Sequence, residues 1–177
     1  MKKWKLSAVT LMIWPYLGFA VSWAAGRLEL PSAFWLYVLL TAAVYIMNIV
    51  NACSCRGEGA AYRLSFWNML IKLVHIPYHL FLFLLGILFL AAMAVPALIF
   101  VSPFLAVVLS VISWLLLVTS SAYGLNAIVR GKKEGKLSVG EAVCHAVLHL
   151  FFVTDVISAV LVFRKIRRRE KAGRAKK

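Results

Sequence analysis

From Pro77 to Val129 the chain carries no Asp, Glu, Lys or Arg, and only Ser102-Pro103 divides the stretch. This gives two apolar segments, Pro77–Phe100 and Phe104–Val129. Each is longer than the ~20 residues that cross a bilayer as a helix. A link as short as Ser102-Pro103 leaves two such helices little choice but an antiparallel hairpin. The rest of the chain does not dilute this character: 63% of its 177 residues are hydrophobic. Globular domains average nearer half. A soluble fold of this size has too little interior to hide that surface, whereas lipid removes the need to hide it.

Two further spans precede the hairpin, Leu6–Ala25 and Ala33–Ala52, joined by the turn Gly26–Ser32. Trp35, Tyr37 and Tyr45 are candidates for interfacial aromatics. The basic start at Lys2, Lys3 and Lys5, followed by an apolar run and a small-residue end, also fits a signal peptide. The length of Leu6–Ala25 favours a retained helix. Cys53–Arg63 reads as a polar loop and Phe66–His75 as a short interfacial helix. Pro77, which lacks an N–H, is expected to begin the third span, with a kink near Pro96. Ser138-Val139-Gly140-Glu141 is a capping box. It opens a long apolar segment over Val139–Phe163. The fold class is therefore all-α: a polytopic membrane helix bundle of four transmembrane helices, plus a fifth long apolar helix that either spans or re-enters. Residues 1–163 form one membrane domain, and 164–177 a basic cytoplasmic tail expected to fray.

Net charge is +14, with 20 Lys and Arg gathered at the ends and in two loops. If all five segments cross, the two sides share these cations equally. If the fifth does not cross, Arg27 stands alone on one side, and the positive-inside rule then places both termini in the cytoplasm of a multi-pass cell-membrane protein. Segment five is also the least lipid-like, because it contains Glu141, His145, His149 and Asp155. The basic tail suits anionic lipid. Nothing resembles a nucleic-acid-binding fold. Cys53, Cys55 and Cys144 read as reduced thiols.

On one continuous helix, Glu141, His145, His149 and Asp155 fall within an arc of about 120°. Near segment three, His75 and His79 are also four apart, with Lys72 three before His75, and Asn126 sits near the inner end of segment four. The simplest reading is a polar seam that hydrogen-bonds between helices, with Lys72 paired to Asp155 or Glu141. The same residues suit a proton or ion pathway. His75, His79, His145 and His149 are two i, i+4 pairs that in principle supply ligands to a metal or haem. No catalytic motif is present and no cofactor is expected.

Asn68–Pro77, Tyr123-Gly124-Leu125-Asn126 and Val153–Ala159 resemble a family of small uncharacterised bacterial integral membrane proteins. The resemblance implies no activity and no catalytic residue, but it groups Lys72, His75, Asn126 and Asp155 as one site. Small size and the lack of catalytic motifs favour a non-enzymatic accessory, immunity or assembly factor. Such a protein acts through helix contacts with a membrane-protein partner or a second copy. A proton-coupled carrier built on the polar seam, and a metal- or haem-binding membrane protein, are the alternatives.

Overall fold

The computed structural model describes residues 2–149 and 151–174. They form six α-helices: α1 (Lys2–Arg27), α2 (Pro31–Ser54), α3 (Ala60–Ala92), α4 (Val101–Lys133), α5 (Val139–Leu148) and α6 (Phe152–Arg174). A 3-10 turn at Pro96–Leu98 links α3 to α4, and no strand occurs among the described residues. Helices α1 to α4 are each long and apolar enough to cross a membrane. The architecture is the polytopic all-α bundle expected from composition.

Its polarity is inverted relative to a soluble protein. Trp35, Leu39, Phe83 and Phe104 are each about two-thirds exposed, while Asn48, Asn68, Lys72, His75, Ser120 and Asp155 are buried. Hydrocarbon solvates the first group at no cost, and the second group must find partners inside. The central element is the antiparallel pair α3 and α4, along which Ala61 meets Glu134, Lys72 meets Ser120 and His79 meets Ser113. α1 adds Ala8, Leu11 and Met12 to the core. α2 leans on α1 through Trp14 and Tyr37, whose rings stack at 5.4 Å. Tyr37 thus makes a helix contact, and Tyr45 packs against the core. Asn48 ties three helices: its Oδ1 accepts from Ser7 at 2.9 Å and from Tyr123 at 2.8 Å.

The prolines depart from expectation. α3 begins at Ala60 and runs through Pro77, so Phe66–His75 is not a separate interfacial helix. A proline removes one hydrogen bond and disturbs the preceding turn, but neighbouring helices can satisfy the loosened carbonyls. The carbonyl left without its N–H is that of Leu73; one residue on, the Tyr16 hydroxyl donates to the Val74 carbonyl and braces the same turn. α3 ends at Ala92 instead of kinking at Pro96, which opens the 3-10 turn. Pro103 falls in the first turn of α4, where its missing N–H is no loss.

Pro15 has the same effect inside α1. In a helix the Leu11 carbonyl would accept from residue 15, which here has no N–H. His75 replaces it: Nε2 lies 3.1 Å from the Leu11 carbonyl and must donate to it.

Segment five is not one helix. It breaks after Leu148 and folds back, so that α5 and α6 form an antiparallel hairpin pinned by Glu141 with Lys165 and by His145 with Ser158. On a continuous helix His149 and Asp155 would sit about 120° and 9 Å apart. The break lets them touch. The Thr154 hydroxyl donates to the freed Leu148 carbonyl at 2.9 Å. α5 spans only ~15 Å, half the hydrocarbon thickness. The basic tail is helical as far as Arg174 because Val162, Phe163 and Ile166 are buried, and because Glu170 pairs with Lys136.

If His75 serves the carbonyl that Pro15 orphans, the two positions are coupled. His75→Leu should cost about 1–3 kcal/mol in the native background and markedly less beside Pro15→Ala. Thermal unfolding of the four proteins in detergent measures the cycle. Equal costs in both backgrounds would assign His75 another role.

Candidate functional site

The most heavily charged part of the interior lies where α3, α4 and the α5–α6 hairpin meet. Lys72 projects from α3 at a depth where α4 offers two hydroxyls. Its ammonium donates to Ser120 Oγ at 2.7 Å and Ser121 Oγ at 2.9 Å, with the Leu117 carbonyl at 3.4 Å. Asp155, in the first turn of α6, pairs with Lys72 through Oδ2. Its other oxygen accepts from His149 Nδ1. Lys72 is 4% exposed and Asp155 not at all. A pair so placed is weak evidence for net stability, because desolvating both ions offsets their attraction. It strongly penalises any arrangement that separates them. The hairpin is thereby fixed in depth and rotation.

His149 completes the network. Because the carboxylate can only accept, Nδ1 carries the hydrogen. Nε2 then faces Gly124 and Asn68 and is buried without a hydrogen-bond partner, as are both amide atoms of Asn68. A Cβ on Gly124 would stand 2.7 Å from the His149 ring and 2.9 Å from Asn68 Nδ2. Only glycine lets the imidazole approach α4 this closely.

The remaining sequence candidates do not join the network. His75 is bound to Leu11, and His79 Nδ1 pairs with Ser113 Oγ at 2.9 Å. His145 pairs with Ser158 Oγ at 2.9 Å. Asn126 donates to the Ala122 carbonyl and contacts Cys53 Sγ. Glu141 is turned outward to Lys165 and Ser138. The arc drawn through Glu141, His145, His149 and Asp155 assumed a continuous helix, and the break dissolves it. Among the described residues no three His, Cys, Asp or Glu side chains gather as a metal set would. The imidazoles of His75, His79, His145 and His149 each face a different partner. Conversely, Ser120, Ser121 and Gly124 escaped sequence reasoning as site residues. Their signal was the spacing Ser120-Ser121 to Gly124, small groups one turn apart opposite Lys72.

The hydrogen bond from Lys165, then those with Ser138, hold the Glu141 carboxyl down at about 2 against an ordinary 4.5. A depressed carboxyl contributes stability above its unfolded value and loses it as pH falls toward its folded one. Amide exchange protection at Ala142 and Val143, corrected for intrinsic rates, should be flat above pH 4.5 and decline toward pH 2. Glu141→Gln should lack that decline.

Removing one partner of the central pair leaves the other charge stranded. Lys72→Met or Asp155→Asn should each destabilise the fold by about 3–5 kcal/mol. The double Lys72→Met/Asp155→Asn should cost clearly less than the sum of the single changes. Additive losses in detergent unfolding would show that the pair does not hold the hairpin.

No curated protein and no solved structure matches the chain. A family model, described as a family of unknown function, matches residues 6–168 and so takes in every residue of this network. The chain belongs to that family, DUF6652.

Proposed function

We propose that this protein is a non-enzymatic accessory, immunity or assembly factor of the cell membrane that works through helix contacts. One observation carries the reading: α2 is the least buried of the four spanning helices. Of its described residues only Val44, Asn48 and Ala52 are buried. Trp35, Leu39, Ile46 and Val50 point outward. The central charges, by contrast, are consumed internally by Lys72, Asp155 and His149. Such an arrangement offers a partner helix an apolar surface on a rigid frame and offers a solute little.

The topology belongs to the same reading. Val139, Val143, Val147, Phe151, Val153, Ile157 and Leu161 form an exposed apolar face over both arms of the hairpin. A hairpin apolar outside and ionic inside enters the bilayer part-way and returns. Both ends then lie on the side that carries all Lys and Arg except Arg27 and the buried Lys72, and the positive-inside rule makes that side cytoplasmic.

A photo-crosslinking residue in place of Leu39 or Ile46 should capture a discrete protein partner, or a second copy, in native membranes. The same residue at Phe83 on α3 should not. Free protein only, in mild detergent and after crosslinking, would overturn the reading.

One observation favours a second reading, a proton-coupled carrier: Asn68 and His149 Nε2 are buried polar groups without partners beside the Lys72–Asp155 pair. Proton uptake by proteoliposomes should then fall in Asp155→Asn and in Lys72→Met. Unchanged flux in both variants would dispose of it.

A further inference from the structure

Residues 153, 157, 161, 164, 168 and 171 follow one another at steps of three or four, so they lie along a single face of α6. All six are exposed. The face changes character once. Val153, Ile157 and Leu161 are apolar, and Arg164, Arg168 and Lys171 are cationic. Arg167 borders the basic half, with its guanidinium 5.9 Å from the Phe163 ring. Arg164, Arg168 and Lys171 form no ion pair among the described residues, whereas off this face Lys165 pairs with Glu141, and Glu170 with Lys136.

The depth of the change matters. Phe163, between Leu161 and Arg164, packs against Tyr62 and Phe66 at 5.8 Å each. These residues belong to the first two turns of α3, close to its polar end at Gly59. The apolar half of the face therefore lies alongside the spanning helices, and the basic half begins where they emerge. A surface that passes from hydrocarbon to headgroup meets carbon first and phosphate next. The opposite side of α6 is spoken for, since Val162 and Ile166 are buried in the core.

We infer that Arg164, Arg168 and Lys171 form a docking face for the headgroups of anionic phospholipids, continuous with the acyl-facing surface of Val153, Ile157 and Leu161. The occupant is lipid rather than a soluble polyanion because the cations prolong an exposed apolar stripe in the same direction. This inference is independent of any helix partner at α2.

The test uses the full chain in nanodiscs of phosphatidylcholine alone or mixed with phosphatidylglycerol, followed by release and native mass spectrometry of retained lipid. The unaltered protein should retain phosphatidylglycerol preferentially. The triple change Arg164→Gln/Arg168→Gln/Lys171→Gln should reduce that preference by about a hundredfold, and added salt should weaken it. A charge-matched control, Arg56→Gln/Lys132→Gln/Lys133→Gln, removes three exposed cations elsewhere and should leave the preference intact. Circular dichroism and unfolding temperature check that both variants are folded. Equal loss in the two triples would reduce the effect to net charge and overturn the proposal. So would the absence of preference in the unaltered protein, or tighter binding of a short RNA than of phosphatidylglycerol at the same residues.

Discussion

Lys72 and Asp155 come from helices far apart in the chain and meet where neither charge can reach water. An ammonium stranded in this position would face desolvation with nothing in return, and so would the carboxylate. Together, with Ser120, Ser121 and His149 filling the remaining hydrogen-bonding positions, they are tolerable. Much of the membrane-embedded arrangement follows from that demand. α6 must enter deeply enough to deliver Asp155, α5 must stop short so that His149 can reach it, and α4 must be bare at Gly124 so that the imidazole fits. The pair acts as a constraint on shape more than as a reservoir of stability.

Backbone groups obey the same accounting. In lipid a carbonyl that loses its helical partner has no water to turn to. The protein nonetheless carries prolines inside two spanning helices, Pro15 and Pro77. Side chains from neighbouring helices answer around both: His75 reaches the Leu11 carbonyl, and Tyr16 reaches that of Val74. These two crossed contacts join α1 and α3 in both directions. A residue such as His75, conspicuous in the sequence as a candidate ligand or proton carrier, is accounted for by a proline four residues beyond its acceptor.

Toward the polar end of the bundle the logic changes. Ion pairs there, Lys165 with Glu141 and Lys136 with Glu134 and Glu170, are partly exposed and of small individual worth. They set the hairpin's orientation as it leaves the bundle and leave Arg164, Arg168 and Lys171 facing outward. α2, at the other side of the molecule, is held mainly by Asn48 and the Trp14–Tyr37 contact and keeps most of its surface free.

The four spans, the hairpin of α3 and α4, and the start of α5 at its capping box were legible in the sequence, because length, apolarity and capping are local properties. So was the partnership of Lys72 with an acid on segment five, since intramembrane charges seek each other. Three things were not legible. Pro77 lies within a helix whose preceding turn is braced from outside, by the Tyr16 hydroxyl of α1 on the Val74 carbonyl. Segment five breaks at His149 although it contains no Pro and no glycine there, because only a break brings His149 and Asp155 together on Lys72. The seam's members on segment five, Glu141 and His145, turn elsewhere once that break redirects their faces, while Asn126 is held by Ala122 and Cys53. The sequence by itself determined the solvent, the helices and the charges that had to be reconciled. Tertiary structure alone decided which partners met, because in a bilayer a buried polar group is satisfied by whatever neighbouring helix can reach it.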